Sequence, residues 1–537
     1  SPDLTRNDPD RLGPSGGPIT ADNSGAEIYC TIFAFRESPH EAGVFWAGSD
    51  DGLVHLSRDG GASWQNVTPP ELPEWALISI IEPSPHDAAT AYVAATRYKL
   101  DDTAPYLFKT NDYGATWTRI TFGIPSEALT RIIREDPNRR GLLYAGTETG
   151  VYLSFDDGVN WQAFQGNLPV TPIHDLFIKG TDLLAATHGR SFWILDDLTP
   201  LHQMSGAQEP VTLYKPRDTV RFRVYDRSGY RKSAPPGYRS YHLTGPVTVA
   251  YTVRETPSGG KTPEYLDAGK NPPPGVIMHY ALAEKPAGDV TLDILDTTGN
   301  VLRTYTSKTE EVPHIPVEAG ANRFIWNLRS GPPVKLEDDK KKDDPEAKNE
   351  EESLAPRVVL GEYQVRLTAG ESSLTQRFTV LADPRLRTTA DERRAQAELL
   401  SQIRDRVDEV HRAINRIRRE RKQIEGWEER AKAGDGHEQL AEAGKALREK
   451  LSALEGELIN LKLDTPQPGP NALKEKLAML AAMVDESDAA PTQGAHDVCD
   501  ALSEQVAAQL AALRRLESED VAAFNALVHE LGLPAVG

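Results

Sequence analysis

Three stretches of this chain put a hydroxyl, a carboxylate and a tryptophan within one tight turn. They are SRDGGASW (Ser57 to Trp64), TNDYGATW (Thr110 to Trp117) and SFDDGVNW (Ser154 to Trp161). A hydroxyl beside a carboxylate has the makings of nucleophilic or acid–base chemistry. The shared pattern, [S/T]-x-D-x-G-x-x-W, returns once in each copy of a longer unit. That argues for scaffolding, since one protein needs one active site and not three. Ser57, Thr110 and Ser154, with Asp59, Asp112 and Asp156, are expected to bond the amides of their own turns. Gly61, Gly114 and Gly158 are expected to take the positive φ such a turn needs. Trp64, Trp117 and Trp161 are expected to pack between neighbouring units.

The longer unit repeats with the motif. "VFWAGSDDGLVHLS", "AYVAATRYKLDDTAPYLFKT" and "LLYAGTETGVYLSF" each read as strand, turn, strand. Before them stand "IFAFRESP", "ISIIEPSP" and "RIIREDPN", each an apolar strand closed by a proline turn. A fourth copy, "DLFIKGTDLLAATHGRSFWILDD", keeps the strands without the Asp motif. Four short antiparallel strands in about 45 to 55 residues are the size of a β-propeller blade. Residues 1–204 are therefore read as a partial propeller with three motif-bearing blades and one degenerate blade.

In such blades the loops between second and third strands gather near the axis. Here they are Ser49 to Gly52, Arg97 to Tyr106, Thr147 to Gly150 and His188 to Ser191, and unlike the motif turns they differ from blade to blade. Asp50 or Asp51 with Glu148 could supply the two carboxylates of a glycosidase, which stand about 5 Å apart for retention or roughly 6.5 to 9.5 Å for inversion. Solvated turn acids are the plainer reading. Arg97, Lys99, Asp101, Asp102, His188 and Arg190 are candidate ligand contacts. His188 and Arg190 either grip a ligand or belong to a closing blade in which Arg190 pairs with Asp196 or Asp197, and the structural reading is favoured.

The motif turns resemble the Asp-box, or BNR repeat, of sialidases, xyloglucan-cleaving glycoside hydrolases and sortilin-type propellers. The stretch "GAEIYCTIFAFRESP…VFWAGSDDGLVHLSRDGG", with "YAGTETGVYLSFDDG" and "ATHGRSFWILDDLTPL", is most similar to bacterial secreted sortilin-like proteins, a resemblance that covers essentially the whole chain. It implies boxes on the blade periphery, a ligand site near the axis, and a secreted or periplasmic setting. A sialidase would need an arginine triad, a Tyr/Glu nucleophile pair and an Arg-Ile-Pro signature, and that signature is absent.

The chain opens at Ser1 with neither Met nor signal peptide, which points to a processed or partial product. Aligning Ser1-Pro2 with Thr68-Pro69 sets Ser1 just past the last strand of a preceding blade. Residues 1 to 200 are then the final blades of a larger propeller, whose other blades lie on a removed segment or a second chain. Such a fragment exposes strand edges and apolar faces and should associate.

The 537 residues suffice for about three or four domains. A net charge of −20 makes nucleic acid and anionic membranes poor partners, and no apolar run is long enough to span a bilayer. The two cysteines, Cys30 and Cys499, are expected to be separate buried thiols. The 13 histidines are scattered, so neither metal nor cofactor is expected. "PSGGPIT" and "PSGGKTP" lack phosphate-loop spacing and read as loops.

Residues 205–386 alternate as hairpin strands and resemble the Ig-like β-sandwich modules that follow secreted propellers. Within them Lys335 to Ser353 reads as a disordered charged insertion. From 387 to 537 the period becomes helical. Apolar stripes run through Leu400, Ile403, Val407, Val410, Ile414, Ile417 and Ile424; through Leu447, Leu451, Leu454, Leu458 and Leu461; through Leu473, Leu477, Leu480 and Val484; and through Val498, Leu502, Val506, Leu510 and Leu513. They predict an antiparallel helical bundle, with Arg416, Arg418, Arg419, Arg421 and Lys422 on a solvated face. The leading functional expectation is a propeller that binds a peptide, protein or glycan. The alternatives are a glycoside hydrolase and a structural subunit of an envelope assembly.

Overall fold

The computed structural model describes residues 2–11, 29–204, 209–223, 239–244, 247–255, 261–266, 269, 271–308, 314–337, 350–433, 438–461 and 470–532. The chain divides into two compact units, Ser1–Gly206 and Ala207–Gly537.

The first unit is a series of antiparallel meanders. β1 (Ile32–Glu37), β2 (Phe45–Ser49), β3 (Val54–Ser57) and β4 (Gln65–Asn66) pair in sequence order as blade 1. β5 (Leu77–Pro83), β6 (Ala91–Arg97), β7 (Asp102–Thr110) and β8 (Thr118–Arg119) make blade 2. β9 (Thr130–Glu135), β10 (Leu143–Thr147), β11 (Val151–Ser154) and β12 (Gln162–Ala163) make blade 3. Blade 4 has three strands, β13 (Ile173–Lys179), β14 (Asp182–Thr187) and β15 (Phe192–Leu195), followed by the short helix α1 (Thr199–Gln203). The first strands neighbour one another in turn, β1 against β5, β5 against β9 and β9 against β13. The sheets therefore stack as successive propeller blades with their first strands innermost.

Alternation sorts the side chains. Trp46, Tyr92 and Tyr144 hold the same register on the second strands, each paired with the fifth residue or so of the inner strand, and all are buried between blades. Each joint is a thin apolar layer. Ile81, Val93, Trp46, Leu56 and Val67 form the layer between blades 1 and 2, and Tyr92, Leu107, Ile133, Leu143 and Trp161 form the next.

The second unit combines sheets and helices over a shared frame. β16 (Val211–Leu213), β21 (Val276–Leu282) and β24 (Gly320–Trp326) form one sheet. β17 (Thr219–Arg221), β22 (Val290–Leu295), β23 (Val301–Thr306), β25 (Gly361–Ala369) and β26 (Ser372–Ala382) form a second. Met278, Tyr280 and Trp326 of one meet Leu292, Val365, Leu367 and Phe378 of the other in a single core. β17 pairs with β26 in parallel, the remainder antiparallel. A separate hairpin sheet holds β18 (Ser240–Thr244), β19 (Val247–Glu255) and β20 (Lys261–Tyr265). Lys261 to Pro263, expected in a loop, open β20, while residues 14–20 of the other glycine-rich stretch lie outside the described residues.

The helices are α2 (Glu350–Leu354), α3 (Ala390–Ala433), α4 (Glu438–Leu458), α5 (Leu473–Val484), α6 (Gln493–Leu516) and α7 (Ala522–Glu530). A π turn over Glu517–Val521 joins the last two. Thr389 and Glu392 cap α3 reciprocally: the Thr389 N–H donates to Glu392 and the Glu392 N–H to the Thr389 hydroxyl. The stripes from Leu400 to Ile424 and from Leu473 to Val484 are buried. Leu461 and Val498 are exposed instead. Leu461 falls beyond the end of α4, and Cys499 takes the inward position beside Val498. Cys30, expected buried, is only partly so, at a positive φ of 64°.

Two expectations about charge are corrected. Val334 to Glu337 do not float: they strap α3, where the Val334 amide donates to Asp408 (2.7 Å) and the Glu337 amide to Asn415 (2.8 Å), while residues 338–349 of the expected insertion lie outside the described residues. At the far end of the insertion Glu352 sits in α2 and takes a two-pronged grip from Arg303 at 2.7 and 2.6 Å. The basic run on α3 is a solvated face only in part: Arg416, Arg419 and Lys422 are exposed, whereas Arg418 and Arg421 are half-buried. Arg418 and Arg421 both hold the buried Glu455 of α4, Arg416 holds Glu517, and Arg419 holds Glu337.

The sandwich and the helices, expected as separate domains, form one unit because arginines of the first converge on the C-terminal end of α5. Asp485 accepts from Arg329 (2.8 Å) and Arg223 (3.0 Å) and pairs with Arg357 (3.3 Å); Asp488 pairs with Arg223 and Arg221. Burial alone would raise the pKa of Asp485, but Arg329, Arg357 and Arg223 outweigh it and hold it below the ordinary carboxylate value. A carboxyl with a depressed folded-state pKa contributes its stability above its unfolded pKa, near 3.9, and loses it as pH falls through the folded value. Asp485→Ala leaves three arginines short of a counter-charge and is expected to cost about 3–5 kcal/mol. Urea denaturation of the full chain at neutral pH checks this, and the gap between wild type and variant should close as pH drops below about 4.

Candidate ligand-binding face

The three motif turns are built alike. In blade 1 the Ser57 hydroxyl donates to Asp59 Oδ1 and accepts the Gly61 N–H, both at 2.9 Å. Asp59 then accepts the Ser63 N–H (2.9 Å) and hydroxyl (2.6 Å). Thr110, Asp112, Gly114 and Thr116 repeat this in blade 2, and Ser154, Asp156, Gly158 and Asn160 in blade 3. Ser63 and Thr116 lead the bonds that lower the pKa of Asp59 and Asp112. These carboxylates are ionised acceptors, filled by their own turns. The residue before each tryptophan is a partner that sequence reasoning overlooked, although Ser, Thr and Asn recurring there was its signal. Each motif glycine has positive φ: 86° at Gly61, 82° at Gly114 and 87° at Gly158.

The turns between second and third strands place the other candidates. Asp50 and Asp51 are buried in blade 1. Asp50 accepts the Thr31 N–H (2.9 Å), and Asp51 accepts the Ser49 hydroxyl and the Arg6 N–H (2.7 Å). Burial is the main reason the Asp50 pKa is raised. Glu148 lies in blade 3 and is ion-paired with Arg131 at 2.7 Å. The two ends of the supposed carboxylate pair thus sit two blades apart, each with its own partners. In blade 2 Arg97 donates to the Glu74 carbonyl (3.0 Å) and pairs with Asp102, which also accepts the Tyr106 hydroxyl (2.7 Å). Asp101 closes the turn through its N–H to the Tyr98 carbonyl. Lys99 stands over the Tyr29 ring. In blade 4 the Arg190 N–H donates to Thr187 and its carbonyl accepts the Trp193 indole, while its side chain is exposed.

Three residues not singled out from sequence link these turns. Tyr98 of blade 2 lies under the Arg131 guanidinium, 5.2 Å from carbon to ring centre. Arg131 holds Glu148. His174 of blade 4 packs against His188 with ring centres 4.8 Å apart and planes tilted by 52°, and its pKa is depressed by burial, then by Arg131 and His188. The result is a track of aromatic, cationic and imidazole groups across blades 2 to 4. A bulge aims two of its members. In β1, β9 and β13 one residue is skipped at the same point of the pairing, and those residues are Phe33, Arg131 and His174. In β5 the skipped residue at the same register is Ser79, and that strand pairs for one residue more beyond the bulge. A bulged residue leaves the strand's alternation and is re-aimed.

At the other end of the inner strands a recess of about 310 Å³ is lined by Arg36, Glu82, Arg134 and Phe177. Arg134 there is fully engaged, with Glu82 (2.5 Å), Asp175 (2.8 Å) and the Leu176 carbonyl (2.7 Å). Among the described residues no group of three or more His, Cys, Asp and Glu could hold a metal ion, and no helix is long and apolar enough to cross a membrane.

No protein-family model matches the chain, and no curated protein matches it. Among solved structures it is similar to YCF48 from Cyanidioschyzon merolae at 17% identity and a TM-score of 0.24, over 31% of this chain and 53% of that one. The chain thus spans about half the length of that structure. YCF48 bound to D1 peptide matches at 15% identity and a TM-score of 0.25, over 48% and 77%. The GH74 xyloglucanase from Xanthomonas campestris matches at 13% and 0.25, over 65% and 54%.

The motif glycines give a graded test. A Cβ on Gly114 would lie 2.7 Å from Val67 Cβ of the preceding blade, in a left-handed conformation besides. On Gly61 it would meet only Trp64, at 3.8 Å. Gly114→Ala is expected to cost about 2–4 kcal/mol, from strain and overpacking together, and Gly61→Ala about 1–2 kcal/mol from strain alone. Urea denaturation of the two variants side by side measures the difference.

Proposed function

We propose that the blades form a non-catalytic receptor surface for an extended polypeptide segment, lying across the turns of blades 2 to 4. The observation that carries this reading is that the candidate carboxylates are committed within the protein. Asp50, Asp51, Asp102 and Glu148 each serve an amide, hydroxyl or arginine of the chain itself. The groups left outward include Tyr98, Lys99, Asp101, His174, His188 and Arg190. Planar cationic and imidazole groups between aromatic surfaces suit peptide carbonyls, carboxylates and side chains. The sandwich and helices would serve as spacer and docking element, in the secreted or periplasmic setting of the sortilin-like proteins this chain resembles.

Glycoside hydrolysis is the second reading. It is favoured by one observation, the raised pKa of Asp50, which is what a general acid requires. The readings part on two assays of the full chain: binding to an immobilised array of short peptides, and reducing-end release from xyloglucan. Tyr98→Ala and Arg131→Ala are each expected to weaken peptide capture by about 1–3 kcal/mol, roughly 5- to 150-fold. Asp50→Asn should leave capture within about threefold. Sugar release that Asp50→Asn abolishes would replace the receptor reading with the hydrolase.

A further inference from the structure

Both joints between motif-bearing blades are made by one device. The residue three places after the tryptophan, Val67 in blade 1 and Ile120 in blade 2, bonds its N–H to its own third strand, at Val54 and Leu107. Its carbonyl then accepts the indole N–H of the next blade: Trp117 donates to Val67 at 2.7 Å, and Trp161 to Ile120 at 2.8 Å. Its side chain covers the next blade's motif glycine so closely that a Cβ on Gly114 or Gly158 would come within 2.7 Å of it. Beside the two latches the inner strands contribute Ile81 and Ile133, and Leu176 holds the same position at the joint of blades 3 and 4, which has no latch; each faces the preceding blade and is 0% exposed.

Among the described residues, blade 1 carries the indole and glycine half of this device with nothing against it. Trp64 Nε1 is buried and has no hydrogen-bond partner among the described residues. Gly61 has no neighbour from another blade. Phe35 holds the register of Ile81, Ile133 and Leu176, since each pairs with the residue after the large one of the second strand, yet it is 54% exposed.

We propose that this face of blade 1 is an interface, and that its occupant is a further Asp-box blade from outside the four described here. The occupant must offer an aliphatic residue three places after its motif tryptophan, with a free carbonyl for Trp64 and a branched side chain for Gly61. A second copy of this chain does not supply it. Val67 and Ile120 already serve blades 2 and 3; the corresponding residue of blade 3, Phe164, is aromatic rather than aliphatic and packs in the layer between blades 3 and 4; and blade 4 has no motif and so no residue of this kind after one. The proposal stands apart from the choice of ligand on the axial face.

Leu4 is buried as Leu72 and Ile124 are, at the same place in the segment that leads into a blade. This fixes the register for a test. A copy of residues 72–123 is joined directly ahead of Leu4 in the full chain, so that the copied Ile120 reaches Trp64. The Trp64 indole N–H, identified by its loss in Trp64→Phe, is expected to exchange with deuterated solvent at least about tenfold more slowly than in the unextended chain. Replacing the copied Ile120 by Asp should abolish that protection. Unchanged exchange in the extended chain, or equal protection from the Asp-bearing copy, overturns the proposal. A second measurement needs no added blade. In the unextended chain Phe35→Glu is expected to lower Tm by under about 2 °C and Ile81→Glu by more than about 8 °C. Equal losses would mean that the Phe35 face is already covered, and would equally overturn it.

Discussion

The first unit depends on a single contact made twice, an indole N–H reaching into the preceding blade to a carbonyl that the earlier blade has already fixed. The carbonyl is fixed because its residue's own N–H belongs to its own sheet. The indole is aimed because the turn before it is held by a hydroxyl and a carboxylate that satisfy each other and three amides or side chains besides. The glycine is required because the neighbour's branched side chain rests where a Cβ would be. Hydrogen bonding inside the turn therefore does not stabilise the turn alone; it sets the distance between sheets, and through that the positions of the inner strands that carry the axial residues.

Most of the blade architecture could be read in the sequence because it repeats. A pattern seen three times, with tryptophan at a fixed offset, separates scaffold from site without any coordinates. The second-strand turns were also legible, since they vary where the motif turns do not. What the sequence hid was partnership. Asp50 and Asp51 look available in a turn, yet the amides they accept come from Thr31 and from Arg6, distant in the chain. Arg131 and His174 were hidden for a different reason. They stand in strands whose alternation would turn them elsewhere, and only the skipped pairing re-aims them. A bulge has no residue-type signature here: the skipped residues are Phe, Ser, Arg and His.

In the second unit the helical stripes were legible for the usual reason, an apolar seam repeated every three to four residues. The charged segments misled because composition says that charge prefers water without saying what else it can reach. Glu455 is nearly fully buried, and burying it is tolerable only because two arginines of the neighbouring helix meet it. The same logic joins sandwich to helices at Asp485. Such pairs are weak evidence of net stability, since apolar contacts of equal volume could supply it, whereas removing one partner from a buried pair is costly.

The latch has a direction. Blades 1 and 2 each carry a plug for the blade before and a socket for the blade after, so a copy of either brings both halves of the contact together. A duplicated blade arrives with both, and can be inserted between existing ones without any new chemistry being invented. The gene for such a protein can lengthen or shorten by whole blades while each surviving joint stays chemically the same. Blade 4 shows the converse: without the motif it offers no plug, so a copy of it could not extend the series by this contact.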